Sequence, residues 1–147
     1  MKNAVVLGFS GLIPFIALLA ATIFGPMELR ENYALWLSQY AAIICTFVGA
    51  FHWGIALRSD RIEAETWRFA YSVMPALFAW LALQLPTALA LRSLAACLII
   101  CLAVDALLQK QQSWPQWFLR LRIALTVIAA TILLAASMLI QKGNALF

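Results

Sequence analysis

One histidine, one carboxylate and two arginines stand inside or beside stretches that are otherwise almost wholly apolar: His52, Asp105, Arg120 and Arg122. An ionisable group at membrane depth is costly, so it faces a partner or a cavity and often marks a site. Asp105 is the only acidic residue inside any apolar segment. In hydrocarbon its carboxylate must take up a proton or find a cation. Arg122 or Arg120 can supply that cation through two parallel hydrogen bonds. His52, the only histidine, has chemistry suited to proton relay or ligation. A metal site needs more ligands than one histidine and dispersed cysteines offer, so none is assigned. Ser10, Tyr71 and Trp53 are expected at comparable depth. Together with His52, Asp105, Arg120 and Arg122 they form the candidate ligand-binding or structural polar cluster.

The segments that must position these groups are set by composition. The chain has 147 residues, of which 65% are hydrophobic and only 11% charged. A soluble domain carries about 25% charged residues. Several apolar blocks run to about 20 residues, the length that crosses ~30 Å of hydrocarbon. The expected fold is an all-α membrane protein, a bundle of five transmembrane helices in a single domain over residues 1–147. The spans fall at about 4–24, 33–57, 69–85, 87–108 and 117–140. The first exceeds the apolar core of a signal peptide and reads as a retained helix. Gly25-Pro26 stops it. Pro75 is expected to kink the third span, and Ala50 and Gly54 form a small-xxx-small pair suited to close helix approach. The stretches 58–68 and 109–116 are polar loops.

Five crossings place Lys2, Arg58, Arg61, Arg68, Lys110, Arg120 and Arg122 on one side and Arg30, Arg92 and Lys142 on the other. The positive-inside rule then predicts a cytoplasmic N-terminus. Trp53, Trp67, Trp114, Trp117, Tyr71 and Phe118 fall near that same boundary, as an aromatic belt would. At 1.5 Å per residue, His52 and Asp105 lie roughly 5–7 Å inside that boundary. Arg92 is expected to snorkel to the headgroups on the other side. The basic residues lie in short loops and segment ends, which gives topology and headgroup contacts rather than a nucleic-acid surface. Cys45, Cys97 and Cys101 all lie in apolar segments and make no disulfide framework. They pack as small hydrophobes. No phosphate loop, CxxC, HExxH or nucleophile with a positioned base is present, so no catalytic residue is assigned.

Three runs resemble a known family: Leu7-Gly8-Phe9-Ser10-Gly11-Leu12-Ile13-Pro14; Phe47-Val48-Gly49-Ala50-Phe51-His52-Trp53-Gly54; and Asp105 followed by Trp114-Pro115, Trp117-Phe118 and Leu119-Arg120-Leu121-Arg122-Ile123-Ala124-Leu125-Thr126. They are similar to the small bacterial and mitochondrial membrane family called domain of unknown function 3429. The resemblance implies a multi-spanning protein, here of a bacterial inner membrane, with no established activity. Its Leu-Arg-x-x-Leu-Thr spacing falls on Arg122 rather than Arg120.

Three functions stay open. The polar cluster can line an inner-leaflet pocket that binds or transports a small or lipid-like ligand. It can lock helices in a structural or assembly factor. It can also place His52 near a quinone headgroup in a redox enzyme. The cofactor is unknown. Membrane lipids are the partners that composition implies, and a homo-oligomer is compatible with so small a bundle.

Overall fold

The computed structural model describes residues 2–58, 66–112 and 115–144, with the side chains of 110–112 and 142–144 outside that description. The charged loop from Ser59 to Glu65 and the belt residue Trp114 therefore lie outside the described residues. Among those described, the chain is α-helical apart from turns and one short 3-10 segment. The helices are α1 (Lys2–Ser10), α2 (Ile13–Phe24), α3 (Arg30–Ala56), α4 (Thr66–Ala82), α5 (Thr87–Gln112) and α6 (Gln116–Asn144). A 3-10 turn, Met27–Leu29, leads into α3. Four rods are long and apolar enough to cross a membrane: Lys2–Phe24, Met27–Ala56, Thr87–Gln109 and Gln116–Gln141. The fifth, α4, is a 17-residue helix packed between α3 and α5. Large apolar side chains such as Phe24, Phe47 and Leu107 stand exposed on the outside of the bundle. A water-soluble fold does not tolerate that pattern over its whole surface, whereas hydrocarbon solvates it. The chain is an all-α membrane protein.

The first rod is broken between Ser10 and Ile13, where Pro14, with Gly8 and Gly11, marks a bend in the sequence. Pro14 has no N–H to donate and its ring crowds the carbonyl four residues back, so the α-helix cannot run through Ser10–Ile13. Gly11 and Leu12 turn there instead. The Leu12 N–H tightens onto the Phe9 carbonyl at 2.9 Å, and Tyr40 of α3 donates its hydroxyl to the Gly11 carbonyl at 3.0 Å. Phe15 then packs edge-on against the same Tyr40 ring, with centroids 5.1 Å apart. The break is thus held by α3. Pro75, by contrast, leaves α4 continuous.

Helix ends differ from the hydropathy boundaries where polar residues still favour helix. The Gln-Lys-Gln-Gln run after Leu108 continues α5 to Gln112, because Gln and Lys are good helix formers. Helix α4, the third expected span, starts earlier than expected, at Thr66, and ends at Ala82. The residues before Pro86 are biased away from the α conformation, and Leu85 closes a turn onto the Ala82 carbonyl at 3.1 Å.

The close helix approach falls on Gly49, not on the Ala50/Gly54 pair. A methyl group at Gly49 would lie 2.6 Å from the Ser72 carbonyl oxygen and 3.0 Å from Pro75 Cγ. At Gly54 it would meet nothing within 4 Å. Small residues bring transmembrane backbones together only on the face that meets a neighbour, and in α3 that face carries Cys45, Gly49, His52 and Ala56. Gly49→Ala should therefore lower the thermal unfolding midpoint in detergent, with a cost of about 1–3 kcal/mol from overpacking. Gly54→Ala should leave it unchanged or raise it, since Gly in a helix is about 0.5–1 kcal/mol less favourable than Ala. Equal midpoints for the two variants would show that α3 and α4 are not wedged at this point.

Candidate functional site: a shared carboxylate between three helices

The site is built from the ends of α3, α4, α5 and α6 that lie together in the antiparallel bundle. His52 stands four residues before the end of α3, and Tyr71 five residues after the start of α4. Asp105 stands seven residues before the end of α5, and Arg122 six residues after the start of α6. The Asp105 carboxylate, 1% exposed, is gripped from two sides. His52 Nε2 lies 2.8 Å from Oδ1. Arg122 donates Nε and Nη2 to Oδ2 at 2.8 and 2.6 Å. An ionised carboxylate only accepts, so the His52 ring nitrogen facing it carries a proton. His52 itself is fully buried. Bonds of this kind, with charge on donor or acceptor, are short and about twice as strong as neutral ones. They also satisfy a carboxylate that hydrocarbon could not solvate.

Aromatic rings pack around this triad. Tyr71 meets the His52 ring edge-on with centroids 4.9 Å apart. Phe51 stacks on Phe118 of α6 at 5.1 Å. Arg68, at the start of α4, is also buried, with its guanidinium 4.7 Å from the centre of the Trp67 ring. The sequence placed Arg68 in a wet loop; the helix begins earlier and turns it inward.

Of the residues singled out from sequence, His52, Asp105, Arg122 and Tyr71 come together. Three do not. Ser10 is exposed and bonds its own helix, donating to the Val6 carbonyl at 2.9 Å. Arg120 is exposed on α6; two residues from Arg122 in a helix, it points to a different face. Trp53, one residue past His52, is also turned outward and packs against Phe69 at 5.0 Å.

Arg92 does not simply snorkel. At the other end of the bundle its Nε donates to Ser137 Oγ at 2.7 Å and its Nη2 bonds Gln141 Oε1, tying α5 to α6. The i, i+4 spacing of Ser137 and Gln141 on one face of α6 was the signal in the sequence.

Two cavities flank the triad. One, of about 300 Å³, lies between α1, α2, α3, α5 and α6. Arg122 and Thr126 are its polar members; Leu12, Phe15, Val48 and Leu98 are among its apolar ones. The other, of about 170 Å³, lies between α4 and α5 and includes Tyr71, Cys97 and Cys101. His52 and Asp105 line neither. Among the described residues no three His, Cys, Asp or Glu side chains are grouped so as to hold a metal ion.

A bundle of apolar rods around a buried, ion-paired polar core is a multi-pass α-helical integral membrane protein. The chain belongs to the family described as Protein of unknown function (DUF3429), whose family model matches residues 1–139. It is also 32% identical over 130 residues to Transmembrane protein 69 of Xenopus tropicalis, a match covering 87% of this chain and 51% of that one. The chain thus spans about half the length of the curated relative it matches. No solved structure matches.

The triad's energetic role can be measured directly. Breaking a buried pair from one side typically costs about 3–5 kcal/mol, because a charge is left uncompensated. Asp105→Ala should therefore lower the unfolding midpoint strongly in a detergent titration followed by helicity. Asp105→Leu combined with Arg122→Met should recover much of the loss, since no charge is then stranded. An Asp105→Ala protein with an unchanged midpoint would remove the pair from the list of stabilising contacts.

Proposed function

We propose that the protein binds a lipid-like molecule in the 300 Å³ cavity, with Arg122 as its polar anchor. The observation that carries this reading is the composition of the lining: a donor-rich guanidinium and one threonine, Thr126, in an otherwise apolar slot. Specific sites for small molecules share that pattern, mostly apolar with a few placed polar groups, and start at about 300 Å³. Asp105 occupies Nε and Nη2 of Arg122, which leaves Nη1 uncommitted to the carboxylate. Because Asp105 also offsets the arginine charge, the slot offers N–H donors more than net charge. It suits oxygen acceptors in a headgroup or ester region. From Arg122 to Ala129 the lining runs seven residues along α6, about 10 Å, so a head at Arg122 has room for a tail beside it.

The rim supports entry from the bilayer. Leu7 is 72% and Phe47 73% exposed, and both border the cavity. A molecule already dissolved in the membrane can enter between them. Most basic residues fall at the triad end of the chain, which supports a cytoplasmic orientation for that end and for the N-terminus. The membrane we propose is a bacterial inner membrane. A second reading, a helix lock in a structural or assembly factor, is favoured by the closed packing of His52 and Asp105, which line neither cavity. That same fact leaves the quinone-linked reading, which needs a head beside His52, with the least support.

Native mass spectrometry of the purified protein should find a lipid-like adduct. Ala129→Leu, which fills the cavity a distance from the triad, should deplete it several-fold while helicity is unchanged. A protein that carries no adduct, or an Ala129→Leu variant that carries as much, would favour the helix lock.

A further inference from the structure

Thr126 departs from the other threonines within the spans. Thr22, Thr46 and Thr131 each donate their hydroxyl to the carbonyl four residues back, at 2.8, 3.0 and 2.8 Å, the common refuge of a threonine in a helix. For Thr126 that acceptor would be the Arg122 carbonyl, and the bond is not made; the hydroxyl has no other hydrogen-bond partner among the described residues. Yet the residue is only 5% exposed, and a buried hydroxyl left unpaired is unfavourable. Protein does not wall it in: Thr126 borders the Arg122 cavity. Arg122 stands four residues earlier on the same face of α6. It borders the cavity too, with its side chain 15% exposed. Two polar groups thus follow one another along the cavity wall, about 6 Å apart, with Leu125 and Ala129 as the apolar lining beside and beyond them.

The two groups ask different things of a ligand. Arg122 can only donate, and Asp105 offsets its charge. A neutral oxygen therefore suits Nη1 better than an anion, which would bring an uncompensated charge into the bundle. Thr126 can donate to a second oxygen, one turn deeper. The volume, about 300 Å³, equals that of roughly ten liquid waters, which is room for a small head and the beginning of one chain. A lipid with a hydroxylated neutral head, an ester carbonyl a few bonds further on and a single tail has this order of groups. We infer that the Arg122 cavity selects a single-chain glycerol ester, with a head hydroxyl oxygen on Arg122 Nη1 and the ester carbonyl on the Thr126 hydroxyl. Thr126 is then the residue that reads the ester. The inference rests on the lipid-binding reading of the same cavity and narrows it to a ligand class. The tail leaves beside Leu7 and Phe47, the exposed rim of the cavity.

The test offers the purified full chain, in detergent, an equimolar mixture of 1-hexadecanoylglycerol and 1-hexadecylglycerol. These differ only in the ester carbonyl, and native mass spectrometry counts the two adducts. The wild type should favour the ester about three- to tenfold, the range one net hydrogen bond provides. Thr126→Val replaces only the hydroxyl, by a methyl group; it should bring the two adducts to parity while the ether still binds. Thr126→Ser should restore the preference, which a merely structural role for the threonine would not do. A phosphate-headed probe, 1-hexadecanoylglycerol 3-phosphate, should lose to the neutral ester in the same competition. An ester preference that is equal in the wild type and in Thr126→Val would overturn the assignment of Thr126. Preference for the phosphate would overturn the neutral head. Ala129→Leu separates these failures from failure of the cavity itself. Loss of both adducts in that variant keeps lipid in the cavity whichever head it prefers, whereas undiminished adducts place the lipid elsewhere and overturn both readings.

Discussion

Everything at one end of the bundle depends on a single carboxylate that has no water to solvate it. Asp105 is held by His52 of α3 and Arg122 of α6. Three helices distant in sequence are thereby fixed relative to one another by one acidic group. In hydrocarbon, packing alone gives helices little preference for a register, because lipid tails are as apolar as the side chains they replace. A buried ion pair does give such a preference, since sliding or rotating any of the three helices strands a charge. The triad therefore sets where the α3, α5 and α6 surfaces meet, and so where the gaps between them fall.

The opposite end uses a weaker version of the same device. Arg92 joins α5 to α6 through Ser137 and Gln141, and Arg30 caps α2 by donating to the Thr22 carbonyl at 3.1 Å. Between the two ends the core is small and apolar, with Ala34, Leu37, Ala41, Cys45, Leu91, Leu94, Leu133 and Ala136 nearly or fully buried. The three cysteines lie in this core as free thiols. Among the described residues, polar clamps at both ends and small residues between them leave gaps where the helices do not close, two of which flank the triad. One lies under the broken first rod, where α1 buries no residue of its own. The other lies beside Pro75, whose contact with Gly49 draws α4 toward α3. Arg122 and Thr126 border the first, and the Tyr71 ring borders the second.

Much of this was legible before any coordinates. The number of rods, their approximate limits and the membrane environment follow from the length of the apolar blocks. The pairing of Asp105 with an arginine follows from its being the sole acid in those blocks. What could not be read was angular. By depth alone Ser10, Trp53 and Arg120 group with the triad, but a helix turns about 100° per residue, and each points elsewhere. The same angle separates Gly49, wedged against α4, from Gly54, where an added methyl group would meet nothing within 4 Å. The sequence predicts that Arg92 snorkels to the headgroups, since its partners stand 45 and 49 residues away on another helix.

The sequence by itself determined composition-level facts: an all-helical chain with more apolar surface than water can tolerate, the positions where proline can bend or stop a helix, and a buried acid that must find a cation. These are local or one-dimensional consequences of residue type, and no neighbour is needed to derive them. Only the tertiary structure decided which face of each helix turns inward, and hence which arginine pairs, which glycine is pressed and which polar groups stay outside. It also decided that the open space lies beside Arg122 and Tyr71 rather than around His52. Cavities are differences between packed surfaces, and no single segment of the chain contains that difference.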